Sequence, residues 1–157
     1  MRGMDMTTSR PEAESGFTWP IRVYYEDTDA GGIVFYANYL KYFERARTEW
    51  LRACGIDQCR LADETGIMFV VRHTAVDYRA PARLDDQLTI VSRIEKLGRA
   101  SVDFAQQAWR GDVLLATGDI RVACVERTAL KPAALPATVA TALERGPVHP
   151  DMSTANA

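Results

Sequence analysis

Long apolar runs are missing from this chain of 157 residues. No stretch approaches the ~18 consecutive apolar residues that a helical membrane span needs, so no span is expected. Met1 to Gly16 mixes Arg, Asp, Glu, Thr, Ser and Pro without an apolar segment, which excludes a signal peptide. A cytoplasmic location follows by elimination. An excess of one charge is also missing. Nineteen basic residues face twenty-one acidic ones, a net charge of -2, and that balance disfavours nucleic acid as a partner. An anionic ligand would be small and held by a few local Arg or Lys residues. Cysteine and histidine are scarce: Cys54, Cys59 and Cys124 form no CxxC pair, and His73 and His149 do not complete a metal set, so no metal ion is expected. The odd cysteine count suits a reducing compartment. GxSxG, P-loop and GxGxxG motifs are absent, and with His73 in mid-strand and His149 near the end, a serine triad is not expected either.

What is present divides into three parts. Residues 1–16 read as a flexible leader, 17–130 as one folded domain, and 131–157, rich in Ala, Pro and Thr, as a tail. Within the tail, Pro136 to Arg145 followed by Gly146 has the start and stop of a short helix. The domain opens with Trp19 to Tyr25, whose β-branched and aromatic content reads as a strand with Pro20 at its start. From Asn38 to Cys54, Leu40, Phe43, Ala46, Trp50, Leu51 and Cys54 recur at helical spacing, with Asn38 as the expected N-cap and Gly55 as terminator. The period then changes to two. Phe69–Tyr78, Leu88–Ile94, Ser101–Trp109 and Leu114–Cys124 read as four strands joined largely by tight turns. The plan is α+β: an antiparallel five-stranded sheet with one long helix on one face, leaving edges that a second copy can cover.

The segment with the most chemical potential is Asp27-Thr28-Asp29-Ala30-Gly31-Gly32, which leads through Ile33-Val34-Phe35-Tyr36 into the helix start. Asp and Gly are turn formers, and a solvated turn is the bland reading. The apolar continuation supplies the functional one: if that run is buried, Asp29 stands at the margin of a dry pocket. Asp27 reads as a turn cap.

The residues Val23-Tyr24-Tyr25-Glu26-Asp27-Thr28-Asp29-Ala30-Gly31-Gly32-Ile33-Val34, with Ala37-Asn38-Tyr39 and Phe43-Glu44-Arg45-Ala46-Arg47-Thr48-Glu49, form a specific pattern. It continues through Phe69-Val70-Val71-Arg72, Tyr78 to Asp86 and Leu130-Lys131-Pro132. This pattern resembles the YbgC-type, Tol-Pal-associated acyl-CoA thioesterases, close relatives of 4-hydroxybenzoyl-CoA thioesterase, over roughly residues 17 to 136. The resemblance implies a hotdog fold, in which the sheet wraps a central helix and protomers join sheets edge to edge as dimers or tetramers, with active sites between protomers. It implies hydrolysis of acyl-CoA with Asp29 as the catalytic carboxylate and the Tyr36 backbone amide polarising the carbonyl. Coenzyme A is then part of the substrate, and no separate cofactor is expected. A link to the Tol-Pal envelope system or to acyl carrier protein is implied by resemblance only.

Many YbgC-type members carry His where this chain has Tyr36, and a phenol is no imidazole-like base at neutral pH. For the phosphates of coenzyme A, Lys131, Arg99 and Arg83 are candidates, since ammonium and guanidinium groups pair with phosphate. Two other readings compete. One is a non-catalytic acyl-carrier or envelope-associated adaptor; the other is an acyl-thioester dehydratase, which needs a well-placed histidine.

Overall fold

The computed structural model describes residues 16–146, so the expected leader and the last eleven residues lie almost wholly outside it. β1 (Phe17–Arg22) is followed by a short 3-10 turn, Tyr25–Asp27. Then come α1 (Asn38–Ala53), α2 (Gln58–Thr65), β2 (Ile67–Tyr78), β3 (Gln87–Leu97), β4 (Ser101–Arg110), β5 (Val113–Glu126) and α3 (Ala137–Arg145). The five strands form one antiparallel sheet in the order β1-β3-β4-β5-β2. Among the described residues no helix is long and apolar enough to cross a membrane.

The core lies between α1 and one face of this sheet. Tyr39, Tyr42, Phe43, Ala46, Trp50 and Leu51 of α1 pack with Leu88, Ile90, Phe104, Ala108, Ala116 and Ile120 of the strands. Fully burying one large apolar side chain contributes about 1.5–3 kcal/mol, so this stripe is the main attachment of the helix. The stripe differs from the expected one. Leu40 is exposed, while Tyr39 and Tyr42 are buried. Gly55 terminates α1 with φ +84, as expected. Asn38 is not the N-cap: that position is Ala37, and the Asn38 side chain instead donates to the Asp27 carbonyl.

Two further features were not expected. The first strand begins earlier than Trp19 and ends at Arg22, because the Asp27 carboxylate accepts from the Tyr24 amide at 2.8 Å and pulls the chain into the 3-10 turn. α2 is an additional helix, capped by Asp57, whose side chain accepts from the Arg60 amide, and closed by Gly66 at φ 72. The short helix expected after Pro136 is α3, and it is no loose appendage: Val139 and Leu143 are buried in the core. Pro132 bridges to Val125, and the Leu135 amide donates to the Arg99 carbonyl, so the approach to α3 is tied to the sheet.

β2 is an edge strand with an irregularity. Phe69 pairs with Cys124, Val71 with Val122, Thr74 with Ile120, Val76 with Gly118 and Tyr78 with Ala116. Arg72 is the extra residue of a bulge between Val71 and His73. Both halves of the strand therefore keep the same face toward α1, although the count between Val71 and Thr74 is odd. His73 pairs with Arg121 on the outer face and is exposed.

Candidate functional site

The site is built from the chain between β1 and α1. Val23, fully buried, exchanges backbone hydrogen bonds with Asp85 and Asp86 and anchors the start of the segment. Asp27, 7% exposed, ties that start to the entrance of α1. Its carboxylate caps the 3-10 turn, as expected of it, and its carbonyl accepts from Phe35 N at 3.0 Å and Asn38 Nδ2 at 2.8 Å. The Tyr42 hydroxyl is buried without a hydrogen-bond partner among the described residues; burial, then the nearby Asp27 carboxylate, push its pKa up.

Asp29 stands at the tip of a small hairpin. Thr28 bridges to Val34, Ile33 bridges to Arg83, and Val34 N donates to the Ala82 carbonyl at 2.8 Å. At the tip, Gly32 N donates to the Asp29 carbonyl at 3.0 Å and Asp29 N donates to the Ile33 carbonyl at 2.8 Å. This is a tight turn followed by a left-handed residue, and Gly32 at φ +78 supplies that residue. Asp29 Oδ1 accepts from Gly31 N at 2.8 Å and from Ile33 N at 3.4 Å. Oδ2 accepts from none of the described residues. One oxygen is thus fixed by the turn, and the other is free to meet a ligand.

The helix start supplies the complementary group. Tyr36 N–H donates to none of the described residues, while the Tyr36 carbonyl accepts from the Tyr78 hydroxyl at 2.9 Å. Tyr78 and Tyr36 meet edge to face at 6.1 Å, so the end of β2 holds the helix start in place. A fixed, unpaired amide at the N-terminus of a 16-residue helix is suited to a carbonyl oxygen on which negative charge develops.

The dry pocket expected around Asp29 is absent within one protomer. Val34 is buried, but Phe35 is 45% and Tyr36 62% exposed, and Asp29 is exposed. The apolar run turns outward after Val34 because only that residue faces the core. The three basic candidates are not brought together either. Arg83 lies beside the Asp29 hairpin just before β3, whereas Arg99 follows β3 and Lys131 sits beside the end of β5. The length of β3, about 33 Å at 3.3 Å per residue, separates Arg83 from the other two.

Sequence reasoning missed a buried polar cluster. Arg47 Nη1 donates to Gln106 Oε1 at 2.9 Å, and Gln106 Nε2 donates to Ser92 Oγ at 2.9 Å and to the Phe43 carbonyl at 3.0 Å. Arg47, Gln106 and Ser92 are 8%, 1% and 0% exposed. Burial lowers the Arg47 pKa to about 10, against a smaller raising effect of Glu44. The signal was there to be read: Arg47 follows Phe43 by four and precedes Trp50 by three, which puts a cation on the apolar stripe.

The sequence pattern of the Thioesterase superfamily matches residues 31–117, starting two residues after Asp29. The chain is 43% identical over 129 residues to the acyl-CoA thioesterase YbgC of Haemophilus influenzae, covering 82% of this chain and 95% of that protein. It is 46% identical over 124 residues to the acyl-CoA thioester hydrolase YbgC of Escherichia coli O6:H1, covering 78% and 92%. Among solved structures, a probable thioesterase from Bartonella henselae superposes with a TM-score of 0.74 at 36% identity, over 77% of this chain and 99% of that one. A 1,4-dihydroxy-2-naphthoyl-CoA thioesterase from Synechocystis, at 23% identity and a TM-score of 0.77, covers 87% of this chain and 97% of that one and shares the fold. The fold is the hotdog fold, a five-stranded antiparallel sheet around a central helix. The chain belongs to the thioesterase superfamily, and within it to the YbgC family of acyl-CoA thioesterases.

Proposed function

We propose that this protein hydrolyses acyl-CoA thioesters to a free acid and coenzyme A. The observation that carries the reading is the combination of a carboxylate with one tethered and one free oxygen at Asp29 and an unpaired amide at Tyr36. Two of the relatives above are named for this activity. The Tyr36 amide polarises the thioester carbonyl. Asp29 then either takes a proton from water, whose oxygen attacks the carbonyl carbon, or attacks that carbon itself to form a mixed anhydride that water opens. In both routes the carbon–sulfur bond breaks and the thiolate leaves. A thiol of pKa near ~8.5 departs without a strong general acid, so one carboxylate and one oxyanion donor suffice.

The site is completed by a second copy. β2 is twelve residues long, with Val71 to Ala75 all exposed, whereas the opposite edge, β1, is six residues with Pro20 among them. Proline and shortness blunt an edge, and a long open strand pairs with another. We therefore assign β2 to a homodimer edge, with the protein acting in the cytoplasm. Arg83, Arg99 and Lys131 are assigned to the coenzyme A phosphates. Pairing of β2 with its copy moves the Arg99 and Lys131 end of one protomer toward the Arg83 end of the other.

Release of free thiol from acyl-CoA tests the assignment. Asp29→Asn matches the carboxylate in shape but neither takes a proton nor attacks, and its kcat falls by a factor of about 10²–10⁴ with the fold unchanged by circular dichroism. Tyr36→Phe keeps the backbone amide and retains substantial activity. Wild-type turnover in folded Asp29→Asn overturns the role of Asp29. A collapse of kcat in folded Tyr36→Phe makes the phenol itself a participant.

A further inference from the structure

Tyr36 lies just ahead of α1, so the regular helical ladder does not hold it. The amide assigned to the thioester carbonyl has to be fixed all the same, because a donor that must reorient as charge develops loses much of its effect. The Tyr36 N–H shares a peptide plane with the Phe35 carbonyl, which accepts from Asn38 N at 2.8 Å. In a trans peptide the N–H points opposite to the C=O, so this bond turns the Tyr36 N–H away from the helix. The next plane, which carries the Tyr36 carbonyl, is held poorly by its own turn, since Tyr39 N lies 3.4 Å from that oxygen. A hydrogen bond of that length is weak.

Tyr78 supplies what the turn lacks. Its hydroxyl, 42 residues away in the chain, donates to the Tyr36 carbonyl at 2.9 Å. Tyr78 is itself fixed from two sides. Its backbone is paired with Ala116 in the sheet, and the next amide, Arg79 N, donates to the Leu115 carbonyl at 2.8 Å. Its ring meets the buried ring of Tyr39 at 5.5 Å, edge to face. Burial, then the Tyr36 phenol, push the Tyr78 pKa up, so the hydroxyl keeps its proton and donates throughout the neutral range. The hydroxyl adds nothing to the core, because the residue is 47% exposed and the carbonyl of Tyr36 is the one described acceptor of its proton.

We propose that Tyr78 is a positioning residue of the thioesterase reaction, whose hydroxyl holds the Tyr36 backbone so that the Tyr36 N–H meets the carbonyl oxygen as negative charge develops there. Tyr78 does not touch the reacting atoms. The Asp29 hairpin is held separately, by the bridge of Ile33 to Arg83 and the bond from Val34 N to the Ala82 carbonyl, so loss of the hydroxyl acts on the oxyanion donor alone. An interaction that strengthens only in the transition state shows in kcat and leaves KM in place. This inference rests on the reading of Asp29 and the Tyr36 amide given above.

Thiol release from one acyl-CoA is compared for the wild type, Tyr78→Phe and Asp29→Asn, with circular dichroism and light scattering to establish equal fold and mass. Tyr78→Phe keeps both ring contacts and loses only the donor. Its kcat falls by about tenfold to a hundredfold, short of the loss of a whole oxyanion donor, while KM stays within about twofold. 4-Aminophenylalanine in place of Tyr78 donates from the same position and restores most of the loss, whereas 4-methylphenylalanine fills the space without donating and does not. Tyr36→Pro removes the amide hydrogen itself, and in that background Tyr78→Phe lowers kcat no further. Wild-type kcat in Tyr78→Phe, with Asp29→Asn inactive, overturns the positioning role and leaves Asp29 standing. An active Asp29→Asn overturns the reading of the reaction itself. Equal recovery with the amino and methyl analogues, or a raised KM at unchanged kcat, makes the contribution of Tyr78 one of packing or ground-state binding and overturns the proposal. A further fall in kcat when Tyr78→Phe is added to Tyr36→Pro overturns it as well, by placing the hydroxyl on the substrate. If Tyr78→Phe is unfolded, the comparison of the two analogues decides.

Discussion

Gln106 shows how much can depend on a neutral side chain. It satisfies Arg47, Ser92 and the Phe43 carbonyl at once, all in the interior between α1, β3 and β4. Gln106→Leu keeps the volume and strips all three, leaving a buried cation with no described partner. Removing one partner of a buried charge costs about 3–5 kcal/mol, and the neutral glutamine puts the expected loss near the low end, about 3 kcal/mol, read as a lower urea midpoint. Glu126 acts at the surface. The Ala129 and Thr128 amides donate to its carboxylate and hold its pKa below the usual glutamate range. A depressed carboxylate adds stability that is present above its unfolded pKa and disappears as pH falls through the folded one. Glu126→Gln should therefore lower the melting temperature near neutral pH and lose that difference in acid, which thermal scans across the acid range will measure.

Gly118 of β5 faces Phe43 of α1, and a Cβ there would lie 2.8 Å from Phe43 Cε2 and 3.1 Å from Ile120 Cδ1. Phe43 is fully buried and has no space to yield, so Gly118→Ala must lift the helix from the sheet. Overpacking of this kind costs about 1–3 kcal/mol, to be read from denaturant unfolding. The elements themselves were legible to the degree that their patterns are local. The alternation along β4 and β5 is visible because one face of each is buried, and Gly55 marks the end of α1 because only its left-handed backbone is needed there. α2 escaped notice because none of its eight residues is buried, so it carries no apolar stripe and only its caps, Asp57 and Gly66, betray it. The polar tip of a tyrosine hides the burial of Tyr39 and Tyr42 from a hydrophobic pattern, and Leu40 is exposed although it lies on the same side of the helix as the buried Arg47 and Leu51. The turn carrying Asp29 was legible from Asp and Gly types alone. Its exposure was not, since that depends on what covers the turn from elsewhere in space.

At the scale of the whole molecule, the long open edge at β2 predicts that the protein is a dimer or a larger assembly built on that dimer. Light scattering will report the mass, and specific activity will fall on dilution as the site loses its other half. An active monomer at assay concentration contradicts this. The bulge at Arg72 bears on how such an edge can change over generations. Within a regular stretch of β2, losing one residue turns the side chains on one side of the gap to the opposite face. Arg72 is the exception. Its deletion joins Val71 directly to His73 and restores a regular ladder, with both halves still facing as before and only the local twist reduced. A gap of one residue in an alignment of related chains is therefore tolerable by the core at this position, and its effect falls on the curvature with which one sheet meets the next.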